Sequence, residues 1–402
     1  MNNRTTSGGS ARQAPPSLAQ IRGSIRAGRA NARSVAALAD NPGCTRRRVL
    51  DAAAVPLYEV AHRAGFESGR GQSPFAISSG VTFEDGLKRR SNYTKLAEAV
   101  KPFIELPAKP RILNVSVGKG QIGSQKWLDS RVAATDEALR AMATGSGRAP
   151  HIVDHPMLTF TGGGATAYLE PDALAFRVAG ELELVEIKSF PIIDGQADGT
   201  KVSAMAGQSA VYVLALRQAL ERMGLDPSLV RWSVILVAPQ NFGRFAAAHR
   251  VPLKKKALSI TRVLDRTESV DELLADLPSD FTVDEPGTDE ERVHRHTAQQ
   301  LEVLTPRYVP ECLSSCDLAQ FCRDEAVRID DPGRLGRAAH DTLGEVPTLQ
   351  RALDLARNPR LHPAEGDRDV ADSLRAAYAA IGRARDAVPR GVSLEQPTRR
   401  RR

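Results

Sequence analysis

The stretch from residue 151 to residue 239 constrains the fold most. Three strand-like runs follow one another, His151–Phe160, Ala165–Val178 and Glu181–Phe190, separated by Gly162-Gly163-Gly164 and Ala179-Gly180. A good helix over Val202 to Met223 comes next, and then RWSVILVAP at Arg231–Pro239, with the β-branched density of a buried strand. Helical periodicity surrounds this block. It is expected from Ala19 to Ala39, in a short helix from Cys44 after Asn41-Pro42-Gly43, and from Ser79 through Phe83, Glu84 and Leu87 to Arg90. It is expected again over 130–143, where Val132, Ala133, Leu139 and Met142 share helix-like spacing, over most of 258–304, and over 333–357 and 367–387. Strands in the middle with helices on either side predict an α/β architecture with a mixed central β-sheet and helical N- and C-terminal extensions.

At 402 residues there is room for one large catalytic domain and a smaller helical appendage. No run approaches the roughly 18 apolar residues of a membrane span. The Arg-, Ser- and Gly-rich start lacks an apolar h-region, so a cytoplasmic protein is expected. The net charge of +7 invites a nucleic-acid reading, but its distribution weakens it. Residues 1–50 hold nine Arg against Asp40, and Arg399 to Arg402 add four more, which leaves the body at −5. The basicity is a property of the tails, where solubilisation and electrostatic DNA capture are equal readings.

The segment YLEPDALAFRVAGELELVEIKSF, residues 168–190, carries the most chemistry. In a strand, residues two apart share a face, so Glu186 and Lys188 project together while Val185 and Ile187 point away. Asp172 lies near the start of the preceding strand, and a tight turn at Ala179-Gly180 brings it alongside them. Converging carboxylates repel unless a cation sits between them, and hard oxygen ligands suit Mg²⁺ or Mn²⁺. A lysine beside them is held charged and can orient a water. By spacing alone, Glu-x-Lys is also an ordinary solvent-face pair. On the next helix, Gln208 and Tyr212 stand at i and i+4 and share a face.

Pro171-Asp172, Glu186-Ile187-Lys188 and Gln208-Ser209-Ala210-Val211-Tyr212, in that order, resemble the RecB-like branch of the PD-(D/E)XK nuclease superfamily. The resemblance spans about residues 40–325. It implies a restriction-endonuclease-like core and a metal-dependent DNA nuclease, an exonuclease acting on ends or single strands. It implies metal ligation by Asp172 and Glu186, nucleophile assistance by Lys188, and support from Gln208 and Tyr212. An upstream helix in the family adds a further metal-site residue. Gly80-Val81-Thr82-Phe83-Glu84 matches its Gly-x-x-Phe-Glu form and assigns Glu84, with His62 as the competitor.

Four cysteines in a cytosolic chain point to metal or redox roles rather than disulfides. Cys312, Cys316 and Cys322 form a C-x₃-C-x₅-C triplet, and Cys44 stands far upstream. Thiolate-only ligation suits zinc or an iron–sulfur cluster. One remote cysteine plus a compact triplet resembles the iron–sulfur members of the same branch, CRISPR-associated RecB-like exonucleases and AddB-type nuclease domains, which implies a 4Fe–4S cluster. The commoner triplet opens C-x₂-C. The expected organisation is a disordered basic tail over 1–20, a nuclease domain over 21–325 closed by the four cysteines, a helical extension over 326–390 and a basic tail over 391–402. No P-loop is present, since Gly118-Lys119-Gly120 lacks the glycine spacing and the Ser/Thr. Unwinding would fall to a partner helicase, and DNA repair, phage defence and CRISPR adaptation all suit such a nuclease. Two alternatives stay open: a catalytically inactive DNA-binding or assembly subunit of the same fold, and a zinc-stapled interaction protein.

Overall fold

The computed structural model describes residues 14–66, 74–107, 109–162, 165–176, 181–241, 243, 245–266, 269–309 and 311–387. Most of the expected N-terminal tail, the whole C-terminal tail and the Ala179-Gly180 turn lie outside these. The chain forms two compact units, each assembled from separated segments. One comprises residues 28–42 and 70–270, the other residues 1–27, 43–69 and 271–402. The expected boundary at 325/326 falls inside the helix Ala319–Ile329.

The first unit is built on a six-stranded mixed sheet. Its strands are β1 (Ile112–Asn114), β2 (Ile152–Asp154), β5 (Ala173–Phe176), β6 (Leu182–Ile187), β7 (Val230–Pro239) and β8 (Ala246–Pro252), in the order β1-β2-β5-β6-β7-β8. A separate hairpin pairs β3 (Leu158–Gly162) with β4 (Ala165–Leu169). β5 and β6 are antiparallel, whereas β6 and β7 are parallel and therefore need a crossover, which the helix Gly199–Arg222 supplies.

Side-chain alternation divides the core between the two faces of the sheet. Leu182 and Leu184 of β6, with Val234, Leu236 and Ala238 of β7, pack in one layer with Ala210, Val211, Leu216 and Leu220 of the crossover helix. Val185, Ile187, Ile235 and Val237 pack in the other with Leu87, Leu96, Val100 and Ile104. Both faces are covered, which is why β7 is apolar almost throughout. Glu186 has the parity of Leu184, so it emerges in the layer of the crossover helix.

Several expected elements are shorter than their sequence patterns. The helix expected over 19–39 is two, Leu18–Arg22 and Ala32–Asp40, because Gly23 turns left-handed at φ +59°. The run 151–160 breaks between β2 and β3 at His155, whose φ is +50°, followed by Pro156. The run 165–178 breaks between β4 and β5 at Glu170-Pro171-Asp172, since proline has no amide to give a ladder. Residues 258–304 are helical at Lys254–Asp265, Val270–Leu274 and Glu290–Val303, with irregular backbone before the last. The edge strand β8 carries the Ala-rich sequence AAAHRVP, which has little strand character of its own.

The second unit is helical in its described residues. Leu343, Val346, Leu349, Leu355 and Ala371 form one core, to which the helices Leu349–Arg357 and Arg368–Ala387 contribute. Its N-terminal segment is anchored at Asp284, which accepts from the Ser24 amide at 2.7 Å and pairs with Arg63 at 3.0 Å. Among the described residues no helix is long and apolar enough to cross a membrane.

Candidate functional site

The β5–β6 register pairs Ala173 with Val185, so Asp172 and Glu186 are next in line across the ladder. Asp172 Oδ2 accepts the Ile187 amide at 2.6 Å, which fixes the carboxylate at the strand end. Lys188 Nζ donates to Glu186 Oε1 at 2.5 Å. The other oxygen, Glu186 Oε2, is buried with no hydrogen-bond partner among the described residues. An orphaned carboxylate oxygen in a residue only 1% exposed is costly, and it is the kind of atom a bound cation would satisfy.

Electrostatics register the same convergence. Burial, then the charges of Asp172 and Glu84, push Glu186 up to about 7 in spite of Lys188. Asp172 is raised as well, by burial first and also by Glu84, against the pull of Lys188. Burial lowers Lys188, but Glu186 and Asp172 outweigh it and hold the ammonium charged. Glu84, on the helix Pro74–Leu87, is thus within charge range of both other carboxylates. His62 stands exposed on Leu57–Arg63, in the helical unit. Gln208 Nε2 donates to Tyr212 Oη at 2.8 Å, and Tyr212 Oη to the Glu170 carbonyl at 3.2 Å. The i, i+4 pair therefore braces the backbone just before Asp172.

A second ring of residues has no motif in the sequence. Lys88, 3% exposed, sits 2.6 Å from Glu84 Oε1, 2.6 Å from Asp154 Oδ1 and 2.9 Å from the Asp172 carbonyl. Tyr93 Oη and Asn114 Nδ2 donate to the other Asp154 oxygen at 2.7 and 2.5 Å. His155 bridges Glu84 at 3.4 Å and Glu170 at 3.1 Å. Buried Arg131 holds Glu170 at 2.9 Å and the His155 carbonyl at 2.8 Å. Burial raises Glu170, but bonds from His155 and Arg131 overcome it and bring its pKa down to about 2. His155 rises, chiefly through its bond to Glu170. His155, beside Pro156, and Tyr93 both stand at positive φ, +50° and +62°.

All four cysteines belong to the helical unit. Cys44 caps the helix Thr45–Ala52 without a side-chain hydrogen bond, and Cys312, Cys316 and Cys322 lie on or beside Cys312–Ser315 and Ala319–Ile329. Cys312 and Cys44 are each 8% exposed. The charges of Cys316 and Cys44 act on Cys322, and those of Cys312 and Cys44 on Cys316, so the remote cysteine shares the neighbourhood of the triplet. Burial pushes Cys316 up to about 11 and Cys322 to about 12. Two buried cations attend them. Arg46 donates to Cys322 Sγ at 3.1 Å and pairs with Glu325 at 2.9 Å, while Arg47 bonds the Ser315 carbonyl at 2.9 Å and feels Cys316 and Cys44. The donor chemistry, four thiols beside two guanidinium groups, fits a multiply charged thiolate-bound centre.

Among the described residues, no three His, Cys, Asp or Glu side chains stand at coordinating spacing in this arrangement. At the sheet site Glu186 and Glu84 each hold an ammonium group, Lys188 and Lys88 respectively. No protein-family model matches the sequence. No curated protein matches it either. A solved structure described as "Crystal structure of SSO0001" is 13% identical, covers 61% of this chain and 98% of its own, and superposes with a TM-score of 0.18, too low to carry an inference.

Proposed function

We propose that this chain is a metal-dependent DNA nuclease of the RecB-like PD-(D/E)XK kind, with a restriction-endonuclease-like core. The observation that carries the reading is Glu186 Oε2, buried beside Asp172 with no partner among the described residues, and with Lys188 on the neighbouring oxygen. Asp172 and Glu186, with Glu84, would hold Mg²⁺ or Mn²⁺, which polarises a phosphoryl oxygen and lowers the pKa of water. Lys188, kept charged by two carboxylates, would orient the attacking water and offset charge that develops on phosphorus oxygens. Gln208 and Tyr212 steady the Glu170–Asp172 backbone from the crossover helix. DNA as substrate rests on the active-site pattern and not on the basic tails.

We further propose that Cys44, Cys312, Cys316 and Cys322 hold a 4Fe–4S cluster, which supplies a structural crosslink. The shared neighbourhood of the four thiols and the flanking arginines support it.

Cleavage of single-stranded and duplex DNA with Mn²⁺ or Mg²⁺, by wild type and by Lys188→Ala, tests the nuclease. Equal slow degradation by both rejects it. Anaerobically purified protein that is brown, with broad visible absorption and acid-labile sulfide, supports the cluster; a colourless zinc-only protein rejects it.

A further inference from the structure

Tyr308 is 7% exposed, yet its hydroxyl has no hydrogen-bond partner among the described residues. Buried hydroxyls rarely go unpaired, because desolvation is then uncompensated. The residue forms a small core with Cys312 and Ala319, against which Cys316 and Cys322 pack. Its hydroxyl lies within charge range of Arg323 and of three thiols, those of Cys312, Cys322 and Cys316. Its backbone has little freedom. Gly336 approaches so closely, at φ +89°, that a Cβ there would come within 2.1 Å of the Tyr308 carbonyl oxygen.

Each sulfur of the triplet already has a nitrogen donor. The Val309 amide reaches Cys312 Sγ at 3.5 Å, the Leu318 amide bonds Cys316, and Arg46 reaches Cys322 Sγ at 3.1 Å. Such donors favour sulfur that carries negative charge. Tyr308 adds an O–H in the same neighbourhood, with no acceptor for it among the described residues.

We infer that Tyr308 Oη donates a hydrogen bond to a sulfur of the cluster held by Cys44, Cys312, Cys316 and Cys322, and so sets both its retention and its potential. The inference rests on the four-cysteine reading above. Hydrogen bonds to cluster sulfur stabilise the more reduced, more negative state and raise the midpoint potential.

The test compares anaerobically purified full-length wild type with Tyr308→Phe, by iron and sulfide content, redox titration and iron release to a chelator. Tyr308→Phe should start with wild-type iron, titrate at a lower potential and release iron about tenfold faster, as loss of a charge-assisted hydrogen bond predicts. Should the Phe variant load iron poorly, 3-fluorotyrosine at position 308 keeps the shape and strengthens the donor, and should shift the midpoint upward. A midpoint and release rate unchanged in Tyr308→Phe, with iron present, overturn the hydrogen bond alone. Wild type without iron and sulfide overturns the cluster and this inference together.

Discussion

Lys88 Nζ lies 2.6 Å from Glu84 Oε1, one helical turn earlier, and equally close to Asp154 Oδ1. One ammonium, almost wholly buried, thus ties the acidic helix Pro74–Leu87 to the end of β2. Burial opposes its charge, but Asp154 and Glu84 raise its pKa regardless. Removing one partner of such a group strands the others. Lys88→Met should lower the unfolding free energy by about 3–5 kcal/mol, read from urea denaturation. Lys88→Met combined with Asp154→Leu should recover part of that loss, because the buried carboxylate goes with its partner. A single-variant cost near zero would mean that water reaches this ion pair.

At the sheet site, Lys188 is a better target for activity than for stability, since it is partly exposed and its partner Glu186 retains a neutral option. Lys188→Ala should fold normally and reduce DNA cleavage by about 100-fold or more, the range for loss of a group acting on developing charge. Glu84→Ala should lower cleavage and weaken Mn²⁺ binding by calorimetry. His62→Ala should leave both unchanged, because His62 is exposed and belongs to the helical unit. The opposite ranking would transfer the third ligand to His62.

How much of this was legible in the sequence depends on the distance over which a relationship acts. Glu186 and Lys188 were readable because strand period two is local, and Gln208 and Tyr212 because i, i+4 is local. Asp172 needed one hairpin, and the β5–β6 ladder supplies it. Lys88, Arg131 and the adjacent pair Asp154-His155 come from three separate stretches of chain, and only the tertiary fold brings them to one place. No periodicity marks them. β8 was missed for a related reason: Ala-rich backbone becomes a strand there because β7 offers an edge to pair with. The division into two units was hidden because the chain passes between them more than once.

The raised Glu186 pKa makes stability depend on pH in a stated direction. Its ordinary value is 4.5 and its folded value about 7, so between these the folded chain holds more protons than the unfolded one. Stability of chelator-treated protein should therefore fall as pH rises through that window, by roughly 3 kcal/mol in all, and level off above it. Glu186→Gln should flatten the dependence and be more stable than wild type at pH 8. Mn²⁺ should raise the melting temperature more at pH 8 than at pH 5, since binding needs the ionised carboxylate. Calorimetric scans across pH with and without Mn²⁺ check all three. A flat wild-type profile would mean that Glu186 is not desolvated.

Cys44 and Cys312 bracket the whole of residues 70–270, so a centre that binds both closes a very long loop. Loop-closure entropy grows only slowly with length, but a crosslink of this span still removes several kcal/mol of unfolded-state freedom, about 5.5 by the chain-entropy relation. Cys44→Ser should therefore behave like Cys312→Ser, Cys316→Ser and Cys322→Ser: each loses one of four ligands. The measured outcome is iron per chain below half of wild type after anaerobic purification, and a lower melting temperature in all four. Asp51, held by Arg47 at 3.0 Å on the helix that Cys44 caps, offers a control, since Asp51→Asn perturbs that helix without removing a thiol. Full iron in Cys44→Ser, with loss only in the triplet variants, would make the centre a three-cysteine site and leave the remote thiol as ordinary core.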